Sequence, residues 1–334
     1  MLSRVADALF WMARYFERAE NTARLIDVNQ NMMLDMGHVV GAVEHSGASY
    51  WNPIVRIASP MDEFRARYAK TTQDVAIDWL TFNGANPNSI LNCVRLAREN
   101  ARAVRGSLSS EVWEQINTTY LQLRETDGDT IRKEGTHLYF RRVRQASARF
   151  QGLVDSTMPR DEGWQWIQAG KYLERADATS RLLDVKYYFL LPSIEEVGGP
   201  IDNVQWIAVL KSCSSYEAYQ RRYVARITPS RVAEFLVLDK SFPRSVRFCF
   251  DQMHAALQSV GAEHGNEREQ PPEITASQVR QMLGETTMSG IIQFGLRQYM
   301  AGIQDRCVEI SGQITQCYFQ GALRHGNGNN GNDE

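Results

Sequence analysis

A stretch of fourteen residues occurs twice in this chain and constrains the fold more than any other feature. Residues 15–28 read YFERAENTARLIDV and residues 172–185 read YLERADATSRLLDV, so nine of fourteen positions are identical at a separation of 157. An internal repeat of this length indicates a duplicated structural unit. We therefore predict two tandem repeats of about 157 residues.

Later segments extend the duplication along the chain. The segment from Trp79 to Cys93 aligns with the segment from Phe235 to Cys249 at a separation of 156. We predict a first helical repeat over 1–154 and a second over 155–325, which forms one compact unit with the first. The remaining residues, 326–334, are rich in Gly and Asn, and we predict a disordered tail there.

The hydrophobic pattern predicts an all-α fold, a duplicated helical bundle whose repeats are related by a pseudo-twofold axis. Apolar residues from Leu9 to Ile26 recur at steps of three and four, which is typical of a helix that packs along most of its length. Helices are predicted at 3–36, 88–105, 109–125, 130–154 and 161–190, and an exposed loop at 261–276. Sustained alternation of period two is absent from the sequence, so we predict no sheet.

Composition narrows the functional classes. The chain has 334 residues, 43% hydrophobic residues and a formal net charge of −2, so neither nucleic acid nor an anionic membrane is favoured as a partner. Its five cysteines include no Cys-x-x-Cys pair, which favours reduced thiols. We find no signal-peptide pattern and no apolar run of membrane-spanning length, and we expect a cytoplasmic protein.

The repeated stretch carries a stripe of charged residues on one helix face. Alternating steps of three and four join Glu17, Glu20, Arg24 and Asp27, and the second copy repeats them as Glu174, Asp177, Arg181 and Asp184. We hypothesise reciprocal buried pairing, Arg18 with Glu174 and Arg175 with Glu17, across the pseudo-twofold axis. The alternative hypothesis is that the two Glu-Arg pairs line a ligand cleft between the halves.

A second group of arginines follows helical spacing in the first half. Its members are Arg95, Arg98, Arg102 and Arg105, which Arg141, Arg142 and Arg144 extend. One interpretation is a solvated helix face, and the other is a basic surface for an anionic ligand or an acidic partner.

Two Glu/Asp-x-x-His pairs invite a comparison with di-metal helix bundles. They are Glu134 with His137 and Asp251 with His254. Because the two pairs do not occupy equivalent positions in the repeats, we expect no metal and no other cofactor. The catalytic residues, if the chain has any, are not indicated by a known catalytic motif.

The chain opens with MLSRVAD at residues 1–7 and FWMARYFERAE at residues 10–20, and YLERAD at 172–177 is a second copy of part of this opening. These segments strongly resemble the bacterial alpha-E domain family. That family is all-helical and takes its name from a Glu-Arg motif, which maps here onto Glu17-Arg18 and Glu174-Arg175. Its members are generally encoded beside, or fused to, a circularly permuted ATP-grasp protein, with transglutaminase-like proteases as frequent neighbours.

This resemblance implies a role in a system that forms peptide or amide bonds. We expect a non-catalytic accessory or scaffold protein whose partner is a separate ATP-grasp ligase, with a transglutaminase-like protease of the same system as a further partner. The alternative is an enzyme of that pathway that binds an anionic or peptide substrate in an interhelical cleft lined by Glu and Arg.

Overall fold

The computed structural model describes residues 1–40, 47–126, 135–189, 199–223, 227–266 and 268–320. Across these ranges the regular elements are helices and no strand occurs, so the predicted all-α fold is confirmed. No helix in the described ranges is both long enough and apolar enough to cross a membrane. The predicted disordered tail lies outside the described residues.

The described residues form fifteen α-helices, which we number in chain order. Those of the first half are α1 (Ser3–Val40), α2 (Gly47–Ala58), α3 (Met61–Arg65), α4 (Gln73–Thr81), α5 (Ile90–Ala103), α6 (Ser110–Glu125) and α7 (Thr136–Thr157). Those of the second half are α8 (Glu162–Phe189), α9 (Pro200–Ser212), α10 (Tyr216–Arg222), α11 (Pro229–Leu238), α12 (Val246–Glu263), α13 (Pro271–Glu285), α14 (Met288–Phe294) and α15 (Leu296–Ile314). A π-helical turn, Thr315–Phe319, follows α15.

Helix α1 is buried along most of its length, as its apolar spacing predicts. Leu9, Phe16 and Ile26 are at most 2% exposed. The helix runs past Gly37 to Val40, although we predicted an end near residue 36. A single glycine costs only about 1 kcal/mol inside a helix, so it does not terminate a helix that tertiary contacts support.

Helices α1 and α8, which carry the two copies of the repeat, pack against each other at the centre of the molecule. Helix α1 also packs against α5 and α7, and α8 packs in the same way against α12 and α15. The two helices approach closely where Gly170 of α8 meets the backbone of Phe10. Only a residue without a side chain permits this approach.

The two halves share apolar contacts beyond this central pair. Helix α2 packs against α8, whereas α9 packs against α1. The buried apolar side chains form one cluster that runs from Ala6 to Tyr318 and draws on both halves. The division into two pseudo-twofold repeats at residues 154 and 155 stays a prediction.

Two parts of the sequence-based prediction are wrong about helix positions. Helix α13 begins at Pro271, inside the segment predicted as an exposed loop. Both prolines lie in its first turn, where a missing backbone N–H costs nothing, and the backbone N–H of Gln270 donates to Glu273 Oε2 at 2.7 Å. Helix α2 was not predicted, because Pro53 and the glycines in the sequence that precedes it are typical of a loop.

Candidate functional site

The two Glu-Arg motifs face each other across the contact between α1 and α8. Ion pairs join Arg14 with Glu174, Arg18 with Glu174, and Arg175 with Glu17. Contacts of α8 with α1 and the residues before it advance from Gly163 near Met1, through Gly170 near Phe10, to Glu174 at Arg18. The two helices therefore run in the same direction here. The reciprocal pairing of the two motifs is therefore confirmed.

Glu174 lies between two guanidinium groups of α1. Arg18 binds it with two prongs, from Nε to Oε1 at 2.6 Å and from Nη2 to Oε2 at 2.9 Å. Arg14 Nε donates to Oε2 at 3.0 Å. The free ends of the two arginines are also held, since Arg18 Nη1 donates to Asn88 Oδ1 at 2.8 Å and Arg14 Nη1 donates to Ser311 Oγ at 2.8 Å. Such two-pronged pairing fixes orientation as well as distance.

Glu17 has a different set of partners at the equivalent place. Its Oε1 accepts from Arg175 Nε at 2.9 Å and from Arg244 Nη1 at 2.8 Å. Its Oε2 accepts from Gln151 Nε2 at 2.9 Å, and Gln151 Oε1 in turn accepts from Arg175 Nη2 at 2.8 Å. The Glu17 side chain is 1% exposed, so both guanidinium partners bind it away from water.

Arg244 connects the start of α12 to the charged stripe of α1. Its Nη2 lies 2.8 Å from both carboxylate oxygens of Glu20. Glu20 also accepts from Arg24 Nη2 at 2.5 Å and from Ser147 Oγ at 3.1 Å. Sequence reasoning missed Arg244 because its repeat equivalent is Asn88, so the position carries no repeated signal.

The buried arginines keep two of these carboxyl groups ionised. Burial by itself would raise the pKa of Glu174, but Arg18 and Arg14 outweigh it and hold the pKa at about 2. Burial likewise opposes ionisation of Glu20, and Arg244 and Arg24 hold its pKa at about 2. At neutral pH neither group has a proton to donate, and each is a very weak base.

We expect the protein to lose stability as the pH is lowered from 4.5 toward 2. The unperturbed pKa is 4.5 and the folded-state pKa of Glu20 and Glu174 is about 2, so the unfolded state takes up protons first. Their contribution is fully present above the unfolded pKa and is lost through this interval. Urea unfolding at a series of pH values measures the effect. Glu174→Gln should show a shallower loss than the wild type, and an identical pH slope would contradict the account.

Asp27 anchors α7 to α1. Arg144 Nη2 lies 2.8 Å from Asp27 Oδ2, and His137 Nδ1 lies 2.7 Å from Asp27 Oδ1. Arg144 was predicted to belong to a basic partner surface, but this ion pair directs it toward α1. Glu134, the other member of the pair with His137, lies outside the described residues.

In the described part of the chain, the acidic residues of the second copy of the stripe contact different partners, and the charges of Arg297 and Arg56 act on Asp184. Asp177 Oδ2 accepts from Arg181 Nε at 2.8 Å, and its Oδ1, although buried, has no hydrogen-bond partner among the described residues. Asp184 Oδ1 lies 3.7 Å from Arg297 Nε, which is a weak contact. The two copies therefore share the central pairs but differ at the outer acidic positions.

The other arginines of the predicted basic surface lie on α5 and α7, except Arg105, which follows the end of α5. Arg98 and Arg102 share Glu99, at 2.8 Å and 2.5 Å. The remaining members are exposed at Arg95, Arg105, Arg141 and Arg142. Recognition of an acidic partner by this face stays a prediction.

Two of the cysteines and one of the Glu/Asp-x-x-His pairs have defined surroundings in the structure. Burial raises the pKa of the Cys93 and Cys249 thiols to about 12, so neither is a thiolate at neutral pH. In the part of the chain that the structure describes, no three His, Cys, Asp or Glu side chains gather as metal ligands. Arg280 instead binds Asp251 at 2.8 Å and lies 2.9 Å from His254 Nδ1.

A cleft of about 580 Å³ opens between α1 and α8 beside the motif. Its charged lining includes Arg18, Glu174, Asp177, Arg181 and Arg244, and its outer wall is residues 56–62 of α2 and α3. The volume is within the ordinary range for a small-molecule site. The structure thus bears on both hypotheses, because the two pairs join α1 to α8 and one of them, Arg18 with Glu174, also lines the cleft.

A comparison with models of known protein families shows to which family this chain belongs. The family model named Alpha-E, described as a predicted alpha-helical domain with a conserved ER motif, matches residues 1–319. The chain belongs to the Alpha-E family. In this Alpha-E protein the ER motif is present twice, as Glu17-Arg18 and Glu174-Arg175, and each glutamate binds the arginine of the other copy.

Curated relatives of this Alpha-E protein include mycobacterial proteins named as uncharacterized. Proteins of Mycobacterium bovis and Mycobacterium tuberculosis are 26% identical to it over 283 residues, covering 79% of this chain. The matched segment is 30% of the length of those relatives, so most of each relative lies outside the match. No solved structure matches the chain.

Proposed function

We propose that this Alpha-E protein is a non-catalytic accessory or scaffold protein of a cytoplasmic ATP-grasp peptide or amide ligase system. Its main partner is a separate ATP-grasp ligase, and a transglutaminase-like protease of the same system is the further partner. The proposal rests on membership of the Alpha-E family and on what the resemblance of its Glu-Arg motifs implies about associated proteins.

One observation supports the non-catalytic part of this proposal. The motif glutamates Glu17 and Glu174 are each held between two arginines, away from water. A general acid must carry a proton near the working pH, and a general base must bind one readily. Glu174, with a pKa of about 2, does neither, so its chemistry suits a structural lock.

The mycobacterial relatives are compatible with a partner-dependent role. Because the match covers 30% of their length, they have room for further domains in the same polypeptide. We propose that the ligase binds as a separate protein, and that the exposed arginines of α5 and α7 form the face that it contacts.

A second candidate is an enzyme of the same pathway that binds an anionic or peptide substrate. The cleft of about 580 Å³ beside the motif favours it, because charged side chains of both signs line that cleft. In this candidate the Arg18–Glu174 pair would form part of the wall of a substrate site.

Affinity capture of the tagged protein from its native cytoplasm tests the accessory proposal. We expect an ATP-grasp ligase in stoichiometric amount at low salt and less of it at high salt, because charge steering is screened by salt. The double variant Arg95→Glu, Arg141→Glu should recover less ligase, whereas Arg268→Glu, an exposed arginine of the second half, should recover as much as the wild type.

Two results would count against this account. Recovery of no ligase at either salt concentration, with a small molecule retained by the protein, would contradict the accessory proposal and favour the second candidate. Equal recovery by the double variant and the wild type would place the ligase on another face.

A further inference from the structure

Two corners of the charged network are equivalent in sequence but differ in how they are filled. In the first copy the corner is formed by Glu17, Glu20 and Asn21, and the guanidinium of Arg244 lies within it. Arg244 donates to all three side chains at 2.7–2.8 Å. One guanidinium therefore contacts all three side chains of this corner.

The equivalent corner in the second copy is formed by Glu174, Asp177 and Ala178, and the position of Arg244 is taken by Asn88. Both residues directly precede the serine that caps their helix, Ser89 for α5 and Ser245 for α12. Asn88 is shorter, carries no charge, and accepts a hydrogen bond from Arg18. The second corner thus lacks the cation that fills the first.

The carboxylate of Asp177 has fewer hydrogen-bond donors in the described part of the chain than the equivalent carboxylate of Glu20. Its side chain is 15% exposed, and Oδ2 is paired with Arg181. In the first copy Ser147 donates to the equivalent Glu20, but the residue aligned with Ser147 at the separation of 160 is Cys307. Oδ1 of Asp177 is consequently a buried acceptor without a partner in the described part of the chain. An unpaired buried acceptor is costly, and a donor from a ligand would relieve it.

This corner opens into the cleft between α1 and α8, since Asn88, Glu174, Asp177 and Ala178 all line the cleft. Two further polar atoms of the lining have no partner among the residues that the structure describes. They are Nδ2 of Asn21, whose amide is oriented by the bond from Arg244 to its Oδ1, and Oγ of Ser212, a residue that is 8% exposed. These two donors suit oxygen atoms of a ligand.

We infer that the cleft binds a basic amino acid or the basic side chain of a peptide. Its guanidinium or ammonium group contacts Asp177 Oδ1, in the position that Arg244 takes in the first copy, and its oxygen atoms accept from Asn21 and Ser212. Of the arginines that line the cleft, Arg18 and Arg181 are paired with carboxylates, and Arg56 and Arg65 lie exposed on α2 and α3. The inference does not depend on an ATP-grasp partner.

Calorimetric titration of the purified full chain tests this inference with two probes of the same shape. L-arginine carries the guanidinium, whereas L-citrulline replaces it with a neutral urea group. We expect L-arginine to bind and L-citrulline to bind at least about tenfold more weakly, because hydrogen bonds between charged groups contribute more than neutral ones. No binding of L-arginine, or equal binding of the two probes, would overturn the inference.

Variants locate the site within the cleft. Asp177→Asn should weaken L-arginine binding by about tenfold or more, since it removes the charge that the guanidinium contacts. Glu63→Gln is the matched control, because Glu63 is an exposed carboxylate on α3 that does not line the cleft, and it should bind as the wild type does. Asn88→Arg should abolish binding while circular dichroism shows an intact fold, because the new guanidinium fills the corner. Unchanged binding by both Asp177→Asn and Asn88→Arg would contradict the inference.

Discussion

Replacing Glu17 with alanine should lower the free energy of unfolding by about 3–5 kcal/mol, because it leaves buried arginines without their partner. Glu17 is 2% exposed, and it accepts hydrogen bonds from Arg175, Arg244 and Gln151. Arg175 is itself buried and would keep its hydrogen bond to Gln151 but lose its carboxylate. Urea denaturation followed by circular dichroism measures the loss.

Glu99→Ala is the matched control for this variant. Glu99 also pairs with two arginines, Arg98 and Arg102, but its side chain is 35% exposed. Exposed pairs contribute about 0–1 kcal/mol, so the control should unfold close to the wild type. Equal losses in Glu17→Ala and Glu99→Ala would mean that burial of the motif pair has no special effect on stability.

Gly170→Ala should also destabilise the protein, by about 1–3 kcal/mol, although alanine normally favours a helix over glycine. A Cβ at this position would overlap the carbonyl oxygen of Phe10 and lie 3.2 Å from its carbonyl carbon and 3.3 Å from Arg14 Cγ. Backbone atoms of α1 cannot move aside without separating α1 from α8. The shift would also displace Arg14, one of the two arginines that bind Glu174.

Gly152→Ala is the control, because the same substitution should there raise the free energy of unfolding instead of lowering it. Gly152 lies inside α7 and is exposed, and a Cβ added to its backbone would meet no described atom within 4 Å. Alanine there should raise the free energy of unfolding by about 0.5–1 kcal/mol. Thermal unfolding measures the stability of both variants against the wild type. A Gly170→Ala protein as stable as the wild type would contradict the close contact of α1 and α8.

The repeated stretch allowed the central contact to be predicted without a structure. Identical residues at Glu17-Arg18 and Glu174-Arg175 wrap around the helix, which is unusual for a solvated face. If two copies of one unit pack through the same surface with the glutamate of one near the arginine of the other, symmetry requires the reverse pair as well. Reciprocal pairing is one of the two hypotheses that the sequence supports, and the ion pairs of Arg18 and Arg175 confirm it.

The partners that complete the network could not be predicted in the same way. Arg244 and Gln151 are absent from the other copy, where Asn88 and Ser311 stand, so no repeated pattern marks them. Their role depends on where α12 and α7 bring them in three dimensions. Arg144 is a different case. Its spacing along the helix placed it in the predicted basic surface, but the packing of α7 against α1 brings it into an ion pair with Asp27.

The helix boundaries show the limits of local signals. Pro271-Pro272 predicts a loop in isolation, yet prolines are equally suited to the first turn of a helix, and only the packing of α13 selects the helix. Helix α2 contains Pro53, which local rules disfavour inside a helix. Contacts with α4 and α8 stabilise it instead.

A double-mutant cycle on Glu17 and Arg175 tests most directly whether the reciprocal Glu-Arg pairs lock α1 to α8. The unfolding free energies of the wild type, Glu17→Ala, Arg175→Ala and the double variant give the coupling energy, and the same cycle on Glu99 and Arg102 serves as the reference. We predict a coupling of about 1.5–3 kcal/mol for the buried pair and below about 0.5 kcal/mol for the exposed one. A coupling near zero for Glu17 and Arg175 would contradict a structural role for the motif.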